Sequence, residues 1–289
     1  MNGVSTFGEG PTPARAAWRL LEQLHAVTYF ADECHEEYRI SGLRGGLMSY
    51  VAGRTAAMGP VGPDEAAAAL FSFHPALIAR VVPRAWAFSS APEILEARLR
   101  GVDRVLRRLL GDRTCASPDL ARIAAIVEDV MVLADTDGRP MFTAHRDLPV
   151  PDEPHLRLWR AATLVREHRG DGHAAALRSN DVSICEAHMI VVAVTTVGRD
   201  WLRFRGYSDK DCADAEDRLR ARGWLDGHAL TPRGHLAWCR IENRTDALSA
   251  VGWDYLPSDQ MTSLTAALVD LVTPIRRAAV LPHPYPPVG

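Results

Sequence analysis

The stretch RLRARGWLDGHALTPRG, residues 218–234, decides the fold of the C-terminal half of this chain. A helical run ends at Gly223, and glycine readily adopts the left-handed conformation that closes a helix. The Asp-Gly pair at 226–227 predicts a tight hairpin turn, and the Thr-Pro pair at 231–232 predicts the cap and first turn of a further helix. The pattern therefore predicts a helix, a short β-hairpin and another helix in immediate succession.

Outward from this stretch, apolar residues recur at helical spacing over most of the chain. A proline at 75 predicts a break or a fresh start within one of the runs. The predicted helices cover residues 14–34, 64–82, 93–110, 117–134, 154–167, 182–196, 208–222 and 258–275. We therefore expect a mainly α-helical fold with a short β-wing.

Two sequence resemblances refine this expectation. Arg218–Gly227 and Ala229–Gly234 resemble the end of the recognition helix and the wing of winged-helix proteins similar to MarR regulators. With LHAVTYF (24–30), FSFHPAL (71–77) and REHRGDGH (166–173), the chain also resembles an actinobacterial family described as helix-turn-helix proteins. This second resemblance extends from Trp18 to about Val272. It implies a fold but no particular activity.

The Gly- and Pro-rich segment 137–154 is the best candidate for a domain boundary. We expect a helical domain over residues 14–150 and a winged-helix domain over 151–278. The last predicted helix, 258–275, would return to pack on the protein or form a homodimer. Up to Pro13 and from Ala279 onward the chain is rich in Pro and Gly, and we expect little order there.

The amino-acid composition limits the possible cellular location and binding partners of the protein. The chain has 289 residues, 47% of them hydrophobic, and a formal net charge of -3, so it provides no overall attraction to phosphate backbones or anionic membranes. Its five cysteines are scattered without a CxxC pair, which indicates reduced thiols. No stretch resembles a signal peptide or a membrane span. We expect a cytoplasmic protein without a membrane partner.

The predicted helix at 208–222 bears on DNA binding, because its first turns would enter the major groove. Those turns hold five acids beside Lys210: Asp209, Asp211, Asp214, Glu216 and Asp217. Carboxylates repel phosphate, so we do not expect sequence-specific DNA binding, although the resemblance does not exclude it. The acids also stabilise a helix N-terminus through its dipole, and both explanations can hold together.

The stretch LVREHRGDGHAAAL, residues 164–177, concentrates titratable groups in an apolar context. We expect a helix end and a tight turn at HRGDGH, with Asp171 capping the next helix and Arg169 paired with Glu167 or Asp171. If the protein is an enzyme, His168 or His173 is the general acid or base. Glu167 or Asp171 would be the catalytic carboxylate that orients it.

Further ligand-binding candidates lie in the N-terminal half. His25 and Tyr29 are four residues apart and share an inward helix face, and His74 lies among phenylalanines. Together with Arg169 and the nearby His168 and His173, they predict a pocket for an organic small molecule where the two domains join. Taken singly, each histidine is better explained as a buried or helix-end residue that donates a hydrogen bond to a backbone carbonyl.

Motifs for other chemistry are missing from the sequence. His168 and His173 do not have the HExxH spacing, so a metal site is not required, and no motif identifies a cofactor. The preferred function is the binding, with or without conversion, of an organic small molecule beside a winged helix that has lost DNA binding. A ligand-responsive transcription regulator and a purely structural partner-binding protein remain as alternatives.

Overall fold

The computed structural model describes residues 12–195 and 197–282. Within these ranges the fold is mainly α-helical, with fifteen α-helices and one two-stranded hairpin. The first nine helices are α1 (Pro13–Phe30), α2 (Asp32–Ile40), α3 (Gly46–Thr55), α4 (Pro63–Leu70), α5 (Pro75–Phe88), α6 (Ala91–Leu110), α7 (Asp112–Cys115), α8 (Pro118–Val132) and α9 (Pro140–Arg146). The others are α10 (Pro154–Ser179), α11 (Ile184–Val194), α12 (Asp200–Phe204), α13 (Asp209–Ala221), α14 (Pro232–Ser249) and α15 (Ser258–Arg277).

The hairpin lies where the sequence predicts it. Strands β1 (Leu225–Asp226) and β2 (Ala229–Leu230) pair antiparallel between α13 and α14. Gly223 and Gly227 have φ angles of 68° and 56°, which an L side chain rarely adopts. The Thr231 hydroxyl accepts a hydrogen bond from an amide in the first turn of α14, as an N-cap does.

Most of the predicted helices are present with small changes at their ends, and the break before Pro75 is confirmed. Sequence reasoning missed α3, α7, α9 and α12, together with most of α2. Helix α9 lies inside the segment predicted to be a linker. It has only seven residues and is held by burial of Met141 and Phe142, which local periodicity cannot reveal.

The turn predicted at HRGDGH is wrong, because α10 continues through it to Ser179. The reason lies at Gly172, over which the Arg139 guanidinium packs. Arg139 donates hydrogen bonds of 2.7 Å each to the carbonyls of His168 and Leu248. This glycine therefore allows a close approach of another side chain and does not mark a chain reversal.

Helix α10 is the centre of the molecule. It packs against α8, α14, α1 and α9. The largest hydrophobic cluster contains residues from Ala14 to Ile275, so it includes both sides of the boundary predicted at 150/151, which stays a prediction. The last helix, α15, packs on α1 within the same chain, and the homodimer also stays a prediction.

The predicted poorly ordered ends fall mostly outside the described residues. Across the part of the chain that the structure describes, no helix combines the length and the apolar character needed to cross a bilayer.

Two glycine substitutions test the continuity of α10. A Cβ at Gly170 would lie 4.0 Å from its nearest neighbour, whereas one at Gly172 would lie 2.8 Å from Arg139 Nη1. Gly170→Ala should stabilise the protein by about 0.5–1 kcal/mol in urea unfolding, because alanine favours a helix. Gly172→Ala should destabilise it by about 1–3 kcal/mol through overpacking. Equal effects of the two substitutions would contradict this packing.

Candidate functional site

A buried ion cluster joins α10 to α3 and α1. The carboxylate of Glu167 accepts two hydrogen bonds from Arg54, at 2.6 and 3.2 Å, and a third from Arg166 at 2.9 Å. Arg166 also forms a 3.3 Å ion pair with Glu22 of α1. Burial opposes ionisation of Glu167, but the two guanidinium groups outweigh it and hold its pKa well below the usual range. Glu167 and its two arginine partners are therefore charged at neutral pH.

Beside this cluster lies a cavity of about 300 Å³. Its walls come from α1, α3, the segment after α4, α10, α11, the end of α12 and α14. The N-terminal helices and the segment around the hairpin thus both contribute to it. That this cavity is the predicted small-molecule pocket between two domains stays a prediction.

Aromatic rings and guanidinium groups form much of the cavity surface. Arg169 lies 4.5 Å from the ring centroid of Trp18, and Arg205 lies 4.2 Å from that of Trp201. Trp238 also lines the cavity, and its buried indole N–H has no hydrogen-bond acceptor among the described residues. The buried hydroxyl of Ser72, on the opposite wall segment, likewise has no partner among them.

Two histidines of the cavity wall are neutral. His188 Nε2 contacts the Ser72 carbonyl at 3.0 Å and therefore carries the proton. Burial, with a further contribution from Arg205, lowers the pKa of His188 to about 3. Burial also lowers the pKa of His173, whose Nδ1 lies 3.0 Å from the Thr245 hydroxyl. Each of these imidazoles keeps one nitrogen as an acceptor.

Tyr50 lies on the cavity wall beside the ion cluster. Its hydroxyl accepts a 3.2 Å hydrogen bond from Arg54 Nη1. Burial would raise the pKa of Tyr50, but the positive charges of Arg54, Arg166 and Arg205 together lower it below the ordinary value. The phenol oxygen thus lies in a region of positive potential.

The predicted catalytic residues occupy different faces of α10. His173 and Arg169 line the cavity. Glu167 is bound behind the wall by arginines, and His168 Nε2 contacts Asp135 at 2.9 Å. Asp171 accepts a 3.0 Å hydrogen bond from the amide of Phe142. The structure therefore does not bring together the four predicted catalytic residues, which are Glu167, His168, Asp171 and His173.

Two predicted pairings on α10 are corrected. Arg169 pairs with Asp246 at 2.7 Å and with Glu242, both on α14, and not with its neighbours on α10. Asp171 does cap a helix, but the helix is α9, which precedes it in the chain. A continuous helix places these groups on separate faces, where partners from other elements reach them.

The other predicted ligand-binding residues lie near the cavity but behind its wall. His25 Nδ1 contacts the Thr163 hydroxyl and its Nε2 contacts the Tyr29 hydroxyl, both at 2.9 Å. Since Thr163 donates to the Trp159 carbonyl, it accepts from His25, and the Tyr29 hydroxyl donates to Nε2. Tyr29 packs on Tyr50, with ring centroids 4.7 Å apart.

His74 is the N-cap of α5, where its Nδ1 accepts a hydrogen bond from Ala76 at 3.1 Å. Its own amide donates to the carbonyl of Arg205 at 2.9 Å. This bond ties the segment before α5 to the end of α12. His74 therefore supports the cavity wall through the backbone.

Sequence reasoning missed several residues that line the cavity. Tyr50, Arg54, Arg166, His188 and Arg205 all belong to its wall. One signal was available, because Arg54 is the sole charged residue of α3 and a charge in an apolar helix must find a partner. Its partner Glu167 lies 113 residues away, and no local pattern indicates that pairing.

A smaller hollow of about 190 Å³ lies nearer the N-terminal end of α10. Leu95, Leu99 and Leu148 contribute to its largely apolar lining. His145 also lines it, with a pKa lowered by burial to about 4 and Nδ1 2.9 Å from the Met141 carbonyl. With fewer polar groups directed at one point, this hollow is the weaker candidate site.

The described residues form no group of three or more His, Cys, Asp or Glu side chains that could hold a metal ion.

The exposed acids of α13 are largely paired with cations. Asp209 bonds to Arg203 at 3.0 Å, while Lys210 bonds to Asp214 at 2.6 Å. Arg220 likewise bonds to Asp217 at 2.6 Å. Asp211 forms a capping box with Ser208, so at least one acid has the predicted role at the helix N-terminus.

Comparison with known families identifies the class of protein. The sequence profile of a helix-turn-helix family matches residues 14–282, which is most of the chain. The protein therefore belongs to this helix-turn-helix family. Comparison with curated proteins and with solved structures gives no significant match.

Asp171 provides a pH test of the buried side of α10. Burial raises the pKa of Asp171 to about 7, from an ordinary value near 4. An acid with a raised folded-state pKa stabilises the fold below its unfolded pKa and loses that contribution as pH rises through 7. Asp171→Asn should therefore gain stability relative to the natural protein between pH 5 and pH 8, measured by urea unfolding.

The matched control is Asp254→Asn, at an exposed position. Its difference from the natural protein should stay constant over the same pH range. The account of Asp171 fails if both substitutions show the same pH dependence.

Proposed function

We propose that this chain is a ligand-binding helix-turn-helix protein whose cavity beside α10 takes up an organic small molecule. The observation that carries the proposal is the cavity itself, with its aromatic walls and the buried Trp238 N–H that lacks an acceptor among the described residues. A concave, largely apolar site with a few directed polar groups is the usual form of a small-molecule pocket.

In this proposal Arg169 and His173 contact the ligand directly, because both line the cavity. His25, Tyr29 and His74 position the wall from behind. Glu167 and Asp171 hold α10 in place through Arg54 and through the N-terminus of α9. The separation of the titratable groups on α10 favours binding over acid–base turnover.

We also propose that residues 184–249 form a winged-helix unit that does not read DNA. The order α11, α12, α13, hairpin and α14 supports the first part, since a wing follows the recognition helix in that fold. The charge pairs on α13 support the second. Cations that would contact phosphate are already neutralised by Asp209, Asp214 and Asp217.

Filling the cavity should abolish binding. The panel consists of one- and two-ring aromatic compounds of negative, zero and positive charge, tested by thermal shift and calorimetry. At least one should bind with one site per chain. Val191→Trp, on the cavity wall, should remove that binding. The matched control Val194→Trp, on the same helix but not lining the cavity, should retain it.

Two outcomes would contradict the proposed function. One is that no compound of the panel binds the natural protein. The other is that Val191→Trp and Val194→Trp bind equally well, because the cavity would then not be the binding site.

The family match favours a second candidate, a ligand-responsive regulator that binds DNA. If our proposal is correct, the protein should retain no specific fragment when it is incubated with fragmented genomic DNA at physiological salt. Nanomolar retention of one fragment with a steep salt dependence would instead establish the regulator. The control is a triple variant with Asp209→Asn, Asp214→Asn and Asp217→Asn. It should free Arg203, Lys210 and Arg220 from these carboxylates and create weak, salt-sensitive DNA binding.

A further inference from the structure

We infer that the cavity selects an aromatic organic anion, such as an aromatic carboxylate, with its charged group toward Tyr50 and its ring among the tryptophans. This inference rests on the proposed function and specifies the ligand class of the same site. Three features of the cavity lead to it: the distribution of charge on the wall, the response of its titratable groups to that charge, and its aromatic surface.

The wall carries more positive than negative charge. Arg54, Arg166, Arg169 and Arg205 line the cavity, together with only two carboxylates, Glu22 and Glu242. Each of the two carboxylates is already bound to an arginine. Arg54, Arg166 and Arg169 are themselves bound by Glu167, Glu22 and Asp246, so the preference for an anion rests on the excess of arginines over carboxylates in the wall and not on unengaged donors.

The titratable groups of the wall respond to this positive potential. Arg54, Arg166 and Arg205 lower the pKa of Tyr50 even though burial opposes that shift. Burial and then Arg205 lower the pKa of His188, so this imidazole stays uncharged. The cavity therefore favours the ionised form of the Tyr50 oxygen and disfavours the protonated form of His188. A bound carboxylate, which is also an ionised oxygen group, should be favoured in the same way.

The aromatic surface indicates the rest of the ligand. Trp18, Phe71, Trp201 and Trp238 line the same cavity and offer ring faces and edges for stacking. The Trp238 indole can donate one hydrogen bond, which gives a ligand oxygen a specific position. A volume of about 300 Å³ suits a compound of one or two rings.

The test compares three compounds of similar shape by calorimetry: 2-naphthoate, the neutral 2-naphthamide and the cationic 2-naphthylmethylammonium. The carboxylate should bind the natural protein at least about tenfold more tightly than the amide, because charge-assisted hydrogen bonds exceed neutral ones. The cation should bind more weakly than both. Val191→Trp should remove the binding of all three.

Arg205 provides a charge test within the cavity. Arg205→Met should reduce the affinity for 2-naphthoate at least about tenfold and leave that for 2-naphthamide within about threefold. Arg205→Lys keeps the positive charge and should retain the preference for the carboxylate. If Arg205→Met does not fold, the comparison of the carboxylate, the amide and the ammonium compound on the natural protein still tests the preference for an anion.

The possible outcomes distinguish a failure of the anion preference from a failure of the proposed ligand-binding function. Equal or tighter binding of the amide or the cation, still removed by Val191→Trp, would overturn the anion preference and leave the ligand-binding function intact. Failure of all three compounds to bind would overturn the inference. If the wider panel also gives no binding, the proposed function fails with it.

Discussion

The buried carboxylate of Glu167 is the constraint on which the rest of the structure depends. It is 1% exposed and lies within the central helix, where an unpaired charge would be prohibitively costly. Arg54 and Arg166 satisfy it, and in doing so they fix α3 and α1 against α10. Losing one partner of such a buried pair typically costs about 3–5 kcal/mol, because the other charge is left behind.

The same ion cluster gives the cavity its chemical character. Once Arg54 and Arg166 are held by Glu167, their side chains become part of the wall beside Tyr50. Burial, with a smaller contribution from Arg205, lowers the pKa of His188, while Arg54, Arg166 and Arg205 lower the pKa of Tyr50 against the effect of its burial. One requirement of folding, the pairing of a buried acid, thus places two arginines in the wall of the cavity that we propose as the binding site. The helix-turn-helix family defines the scaffold, but the chemistry comes from these side chains.

Local sequence signals predicted the parts of the fold that depend on local physics. Gly223, Gly227 and Thr231 specify the end of α13, the hairpin and the start of α14 almost independently of the remaining chain. The prediction of a turn at Gly172 was wrong because the space beside this glycine is filled by Arg139, a side chain from another part of the chain. Arg169, predicted to bind a ligand, and His173, predicted as a general acid or base, both line the cavity, and their roles stay predictions. Their partners on α14 lie more than 70 residues away, beyond the reach of spacing arguments.

The most direct test of the cavity as a site for an aromatic anion is a crystal structure with bound 6-bromo-2-naphthoate, located by the anomalous signal of bromine. The account predicts one bromine peak inside the cavity among Trp18, Trp201 and Trp238, with density for the carboxylate on the Tyr50 side. Bromine only in the apolar hollow beside Leu95 and Leu148, or only on the outer surface, would contradict it.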